Sequence, residues 1–189
     1  MNLLDLTTMQ PISEQEFRAR NPLVSFPAVL SPADIAGFGV AELLFTPCPT
    51  SEFSSFSQGT PTQNPDGTYS ITWIQTDLPL DQAQQILLNK VAAYRYGVAY
   101  KPVVYNSVSI PVDSDVMSIL NVVSNGTATI DFKGINGWLS MAPSDAKALI
   151  DQIQTQVQGA FTNEKAHHDN IMALTTVAAV ASYDYSTGW

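Results

Sequence analysis

Few residues of this chain have the types and spacing that chemistry needs. His167 and His168, the two histidines, are adjacent. On a helix they diverge by about 100° and cannot share a metal ion as an i, i+4 pair could. By the surrounding apolar pattern His168 belongs to a packed stripe and His167 lies beside it. Asp113-Ser114-Asp115 resembles the start of a calcium loop. The glycine and distal glutamate of such a loop are missing, however, and the positive end of a helix accounts for both carboxylates. Cys48 is the one cysteine, which excludes an intrachain disulfide and a thiolate metal cluster. Between Pro47 and Pro49, with no basic neighbour to favour a thiolate, it reads as a small, partly buried side chain. Glu42 and Glu52 are the acids nearest a long polar connection, and glycoside hydrolysis would need two such groups facing across a cleft. There is no phosphate-cradling glycine loop and no Gly-x-Ser-x-Gly turn. The expectation is a binding protein, not an enzyme, with no catalytic residues, no cofactor and no functional metal.

Aromatic residues do concentrate. Tyr94, Tyr96 and Tyr100 fall within seven positions, Trp73 ends a β-rich stretch, and Phe53 and Phe56 lie in the polar connection from Pro47 to Gly67. Such side chains anchor protein interfaces, because each buries a large apolar body while offering a polar tip or edge. These six are the expected partner-binding residues. The alternative is a receptor- or carbohydrate-binding module in which Trp73, Tyr94, Tyr96 and Tyr100 stack on sugar faces.

Composition narrows the partner. The formal charge is -9, with 8 basic against 17 acidic residues, and nucleic-acid affinity depends on Lys and Arg displacing counterions. Nucleic acid is therefore not expected. No apolar run approaches the roughly eighteen residues of a membrane helix, and the first residues lack a basic signal-peptide start. A soluble protein made in a cytoplasm, with no membrane partner, is the expectation. Charged residues make up only 13% of the chain, so Ser, Thr, Asn and Gln must supply much of the polar surface.

The elements that position these residues can be placed by periodicity and caps. Residues 1–12 read as an extended arm, and Ser13 with Glu16 as a capping box opening a short helix that ends before Asn21-Pro22. Ser31-Pro32 starts another short helix, stopped by Gly37 and Gly39. Val40–Thr46 and Thr68–Gln75 read as an antiparallel hairpin joined by the long connection, whose turn is Asn64-Pro65-Asp66-Gly67. Pro79–Val98 is a helix with Leu80, Ala83, Ile86, Leu87, Val91 and Tyr94 on its apolar stripe. Val103–Val112 is a strand, and Asp113 caps a helix over Val116–Val123 that leaves through a left-handed Asn125-Gly126. Ala128–Lys133 and Trp138–Met141 form a hairpin around Asn136-Gly137, for which a type I′ turn with positive φ is expected. Pro143 and Asp145 then open a helix of about eight turns at 3.6 residues each. Its stripe reads Ala146, Leu149, Ile150, Ile153, Val157, Ala160, Phe161, His168, Ile171 and Met172, and it should bury Phe161 against the strands around Ile130 and Trp138. The fold class is α+β in two small lobes. The first (1–78) holds an antiparallel hairpin with short helices, 79–100 is a connecting helix, and the second (101–189) is a small antiparallel sheet packed on the long helix.

Phe132-Lys133-Gly134-Ile135-Asn136-Gly137-Trp138, Phe161-Thr162-Asn163-Glu164-Lys165 and the final Gly188-Trp189 resemble a phage and prophage domain of unknown function that fits Tyr94–Trp189. Phe17-Arg18-Ala19-Arg20-Asn21-Pro22, Ser25-Phe26-Pro27, Gly37-Phe38-Gly39 and Asp66–Trp73 are similar to the front part of phage tail-fibre assembly and tail accessory proteins. That resemblance implies a tail-fibre accessory, either an assembly chaperone in the host cytoplasm or a small virion subunit on the tail fibre or baseplate. The implied partner is the trimeric tail-fibre protein, with baseplate proteins a further one, and the family offers no catalytic residues to carry over.

Overall fold

The computed structural model describes every residue from Met1 to Trp189, and the chain adopts an α+β fold with helices packed against small, mostly antiparallel sheets. It divides into two compact units between Leu78 and Pro79.

In the first unit the residues expected as an arm are instead a hairpin, β1 (Leu3–Asp5) with β2 (Gln10–Ile12), and β1 is an interior strand. Leu3 and Leu4 point to opposite faces and both are 0% exposed, which an unpaired arm could not achieve. Helices α1 (Glu14–Arg20) and α2 (Pro32–Ile35) start where the caps predict. Ser13 Oγ accepts from Glu16 N at 3.1 Å, but the Glu16 carboxylate takes Arg20 at 2.6 Å instead of returning to Ser13. Gly37 and Gly39 sit at φ 82° and 71° beyond α2, as a helix stop requires.

The expected hairpin of Val40–Thr46 with Thr68–Gln75 does not form. Strand β3 (Val40–Phe45) lies parallel to β6 (Tyr69–Ile71), with Leu43 opposite Tyr69. The intervening segment is not a bare loop, since it carries β4 (Ser54–Gln58) and β5 (Thr62–Gln63). Parallel strands need a crossover of a dozen or more residues, and 46–68 supplies it. The second half of the expected return strand is a separate element, β7 (Trp73–Asp77), antiparallel to β4. The sheet order is β2-β1-β3-β6-β5.

Asp5 locks the β1–β2 turn. It is buried, receives Arg20 Nη1 at 2.5 Å and Thr7 N at 2.8 Å, and its carboxyl is held below the ordinary value first by the Arg20 hydrogen bond and then by the backbone of Thr7. A carboxylate with a lowered folded pKa adds stability that is present above its unfolded value, near pH 4, and is lost as pH falls through the folded value. Protection from amide exchange across β1 and β2, relative to the intrinsic rate at each pH, should therefore fall below about pH 4. Arg20→Met should flatten that acid response, and an identical pH profile in the variant would refute the role.

The second unit places α3 (Leu80–Ala99), read from the sequence as a connector, along α5 (Pro143–Met172). Between them in sequence come the hairpin β8 (Val103–Tyr105) and β9 (Val108–Ile110), the helix α4 (Ser114–Ser124), and the hairpin β10 (Ile130–Lys133) and β11 (Trp138–Met141); α6 (Val177–Ser182) follows α5. The single strand expected over Val103–Val112 is a hairpin because Asn106 and Ser107 turn it at φ 45° and 67°. The other glycine turns differ from expectation too. Gly134–Gly137 is a four-residue loop closed by Gly134 N to Gly137 O at 2.9 Å, and neither Asn136 nor Gly137 takes positive φ. Asn125 ends α4 in the right-handed region at φ -95°.

One core joins Ile110, Leu120, Phe132, Met141, Leu149 and Ile153. Asp145 ties it together: its carboxylate accepts from Ala142 N at 3.0 Å, capping α5, and from Tyr105 OH at 2.9 Å, which raises the Tyr105 pKa. The stripe of α5 holds through Ala160 and then departs from expectation. His167 is 8% exposed while His168 and Met172 face outward. Phe161 is 43% exposed, with Arg95 over its ring at 4.5 Å, and Trp138 is 67% exposed. Phe161→Ala should thus cost about 1 kcal/mol, short of the roughly 3–5 kcal/mol of a buried phenylalanine. A calorimetric loss in the upper range would place the ring back in the core.

Candidate functional site

The six expected binding aromatics divide between the two units, three in each. Phe53, Phe56 and Trp73 belong to the first unit and are partly buried. Trp73 spends its indole N-H on Thr46 O at 3.0 Å, and Phe56 and Trp73 share the half-buried face of the β4–β7 ribbon. Tyr94 belongs to a different cluster, described below. Tyr96 and Tyr100 remain exposed, their rings 4.7 Å apart and tilted by 44°.

Tyr100 stands at one wall of a concavity in the second unit, a groove of about 1230 Å³. One side is α5 from Asp151 to Asn163, and the other is the connection from Val112 into the first turn of α4. Val112, Met117, Ile153 and Val157 give it an apolar floor, and Gln154, Thr155, Gln158 and Thr162 give it an uncharged polar rim. Asp113 and Asp151 are the charged residues in its lining. Asp113 caps α4 as expected, accepting from Val116 N at 2.8 Å, and needs only one oxygen to do so. The elements that hold the groove open are cross-linked through amide side chains. Gln156 donates from Nε2 to Ala99 O at 3.0 Å and Lys101 O at 2.8 Å, fastening the end of α3 to the middle of α5. Such carbonyls at a helix C-terminus have no intrahelical partner and need one.

The histidines are structural. His167 Nδ1 lies 2.8 Å from Tyr183 OH and Nε2 3.0 Å from Thr187 O. Since a carbonyl only accepts, Nε2 carries the proton toward Thr187 and the Tyr183 hydroxyl donates to Nδ1. Trp189 stacks on the same imidazole at 5.0 Å and meets Tyr94 at 5.3 Å, while Tyr94 meets Tyr185 at 5.8 Å. The tail after α6 is thereby clasped to α3 and α5. Both imidazole nitrogens are engaged, and His168 points away to Asp169.

Elsewhere the reactive types are dispersed. Cys48, expected partly buried, is exposed, with Sγ 3.4 Å from Pro49 O. Glu42 lies on β3 opposite Leu3, and Glu52 precedes β4. No group of three or more His, Cys, Asp or Glu is placed to hold a metal ion. No helix is long and apolar enough to cross a membrane. The arrangement suits the noncovalent seating of a polypeptide segment along α5. The groove escaped sequence reasoning because its walls come from three separate stretches, 100, 112–117 and 151–163.

Neither the curated proteins nor the solved structures contain a match to this chain. A family model described as a domain of unknown function (DUF4376) matches residues 82–187, more than half of the chain, from the first turn of α3 through the clasped tail. It takes in the whole groove, and the chain belongs to this family.

Proposed function

We propose that this protein is a non-enzymatic accessory of the bacteriophage tail fibre, binding the trimeric fibre polypeptide. It acts as an assembly chaperone in the host cytoplasm or remains as a small subunit on the fibre or baseplate. The observation that carries the reading is the groove beside α5, an apolar floor under a rim of amides and hydroxyls. A folding or attachment partner needs such a surface, and the exposed Tyr96–Tyr100 pair adjoins it. The resemblance of both halves of the sequence to fibre-adjacent phage proteins supplies the partner's identity. A stable interface takes roughly 800 Å² from each side, with aromatic anchors near its centre, which the groove and the two tyrosines can begin to provide.

Co-expression with the tail-fibre polypeptide of the same phage tests this. The expected result is a complex that survives gel filtration, or soluble trimeric fibre that forms only in the presence of this protein. A fibre that trimerises alone and never co-elutes would defeat the reading.

A further inference from the structure

The lining of the groove selects among occupants. It follows α5 from Asp151 to Asn163, about 18 Å at 1.5 Å per residue, the length of three helical turns. Its floor and rim come from helices and one connection, with no strand edge to which an extended peptide could pair. Gly159 lies within that stretch, inside a 30-residue helix, where glycine disfavours the helical backbone. Nothing in the chain requires it, because a Cβ built there meets no atom within 4 Å. What a bare backbone provides at that point is room for another backbone to approach. The two charged liners are both aspartates, and no Lys or Arg lines the groove. A second copy of a chain with formal charge -9 would bring like charges together.

From these observations we propose that the groove seats an amphipathic helix of about three turns, with apolar residues at i, i+3 or i+4 and i+7 on the floor and Lys or Arg flanks meeting Asp113 and Asp151. The fibre-accessory reading identifies the polypeptide that carries this helix; the chemistry of the groove stands without it.

The test uses the full-length protein and two fluorescent synthetic helical peptides with the same leucine ridge, one flanked by lysines and one by glutamates. The cationic peptide should bind about tenfold more tightly than the anionic one and lose affinity with added salt. Gly159→Leu should abolish its binding without lowering the melting temperature, since the new side chain fills the groove and nothing else. Asp151→Lys should weaken it while the fold persists. Binding of the cationic peptide unaffected by Gly159→Leu, equal binding of both peptides, or no binding overturns the proposal, as does a homodimer that Gly159→Leu dissociates. If the peptide results hold and no fibre complex forms, the fibre reading alone falls. If a fibre complex forms and ignores Gly159→Leu, the groove assignment alone falls.

Discussion

Replacing Gly134 with alanine should destabilise the second unit by about 1–3 kcal/mol and lower its melting temperature by several degrees. Gly134 begins the β10–β11 loop where it lies on the β8–β9 hairpin. A Cβ there would stand 2.4 Å from Val108 Cγ1 and 2.6 Å from Ser109 O. Neither neighbour can yield cheaply: Val108 is part of the core, and Ser109 O accepts from Ile135 N at 2.8 Å. Asn136 completes the joint, accepting from Ser109 N at 2.7 Å and donating to Ser107 O at 3.2 Å. The added methyl must push the two hairpins apart and break those bonds. Gly137→Ala is the control three residues away. Its Cβ would find Val108 Cγ2 at 3.9 Å, an ordinary contact, and its melting curve should match that of the parent. Coincident curves for both variants would mean the hairpins are not joined as described.

That pair of glycines shows where local pattern stops being informative. Asn136-Gly137 carries the familiar turn signature, and the turn is where it predicts. The glycine that the fold needs is nevertheless Gly134, because the demand comes from a strand more than twenty residues away. Helices were legible for the complementary reason: α3, α4 and α5 declare themselves by spacing and caps that are local. The inward face of α5 was legible to Ala160 and again at Ile171, but not between them. Up to Ile153 the helix packs on α4 and the hairpins, and further along it packs on α3 and the tail. The stripe therefore continues through His167 to Ile171 and skips Phe161. At 100° per residue His167 and His168 could not both turn inward. In the first unit, the parallel pairing of β3 with β6 was hidden because register between distant strands depends on what the crossover contains. The same holds for the interior place of β1, since a two-leucine run has no period to read.

Amide side chains were the other blind spot. Gln84 is buried and donates from Nε2 to Ile171 O at 3.1 Å and Leu174 O at 3.1 Å. It closes the end of α5 from the start of α3, as Gln156 closes the end of α3 from the middle of α5. A glutamine in an amphipathic pattern is ordinarily assigned to water, and only the antiparallel pairing of the two helices puts both at the partner's open carbonyls. Gln84→Leu, nearly isosteric, should cost about 1–3 kcal/mol by leaving those carbonyls unpaired. Retention of full stability on urea unfolding would show that water satisfies them equally well.

Phe17→Ala should be the most damaging single truncation in the first unit, at about 3–5 kcal/mol. Phe17 is 1% exposed and is the one large side chain that α1 turns inward. It shares one core cluster with Leu3, Ile12, Leu30 and Ile35, which come from the interior strand, its hairpin partner, the segment before α2 and α2 itself. Its ring also meets Phe26 at 4.9 Å and Phe38 edge-on at 5.9 Å, and those two rings meet each other at 5.3 Å. Phe26 lies in a segment without regular structure and Phe38 in the glycine turn after α2. The triad therefore holds by aromatic contact what no hydrogen-bond ladder holds. Alanine would leave a cavity that neither partner can fill, since Phe26 is anchored through its carbonyl by Arg18 Nη1 at 3.5 Å and Phe38 N bonds Ile35 O at 3.2 Å. Amide exchange should quicken from β1 through β3 and leave α3 and α5 protected. Binding of the cationic helical peptide, whose site is built wholly from residues after Pro79, should then be unchanged. Loss of that binding in Phe17→Ala would show that the first unit shapes the groove and that the site extends beyond the residues assigned to it.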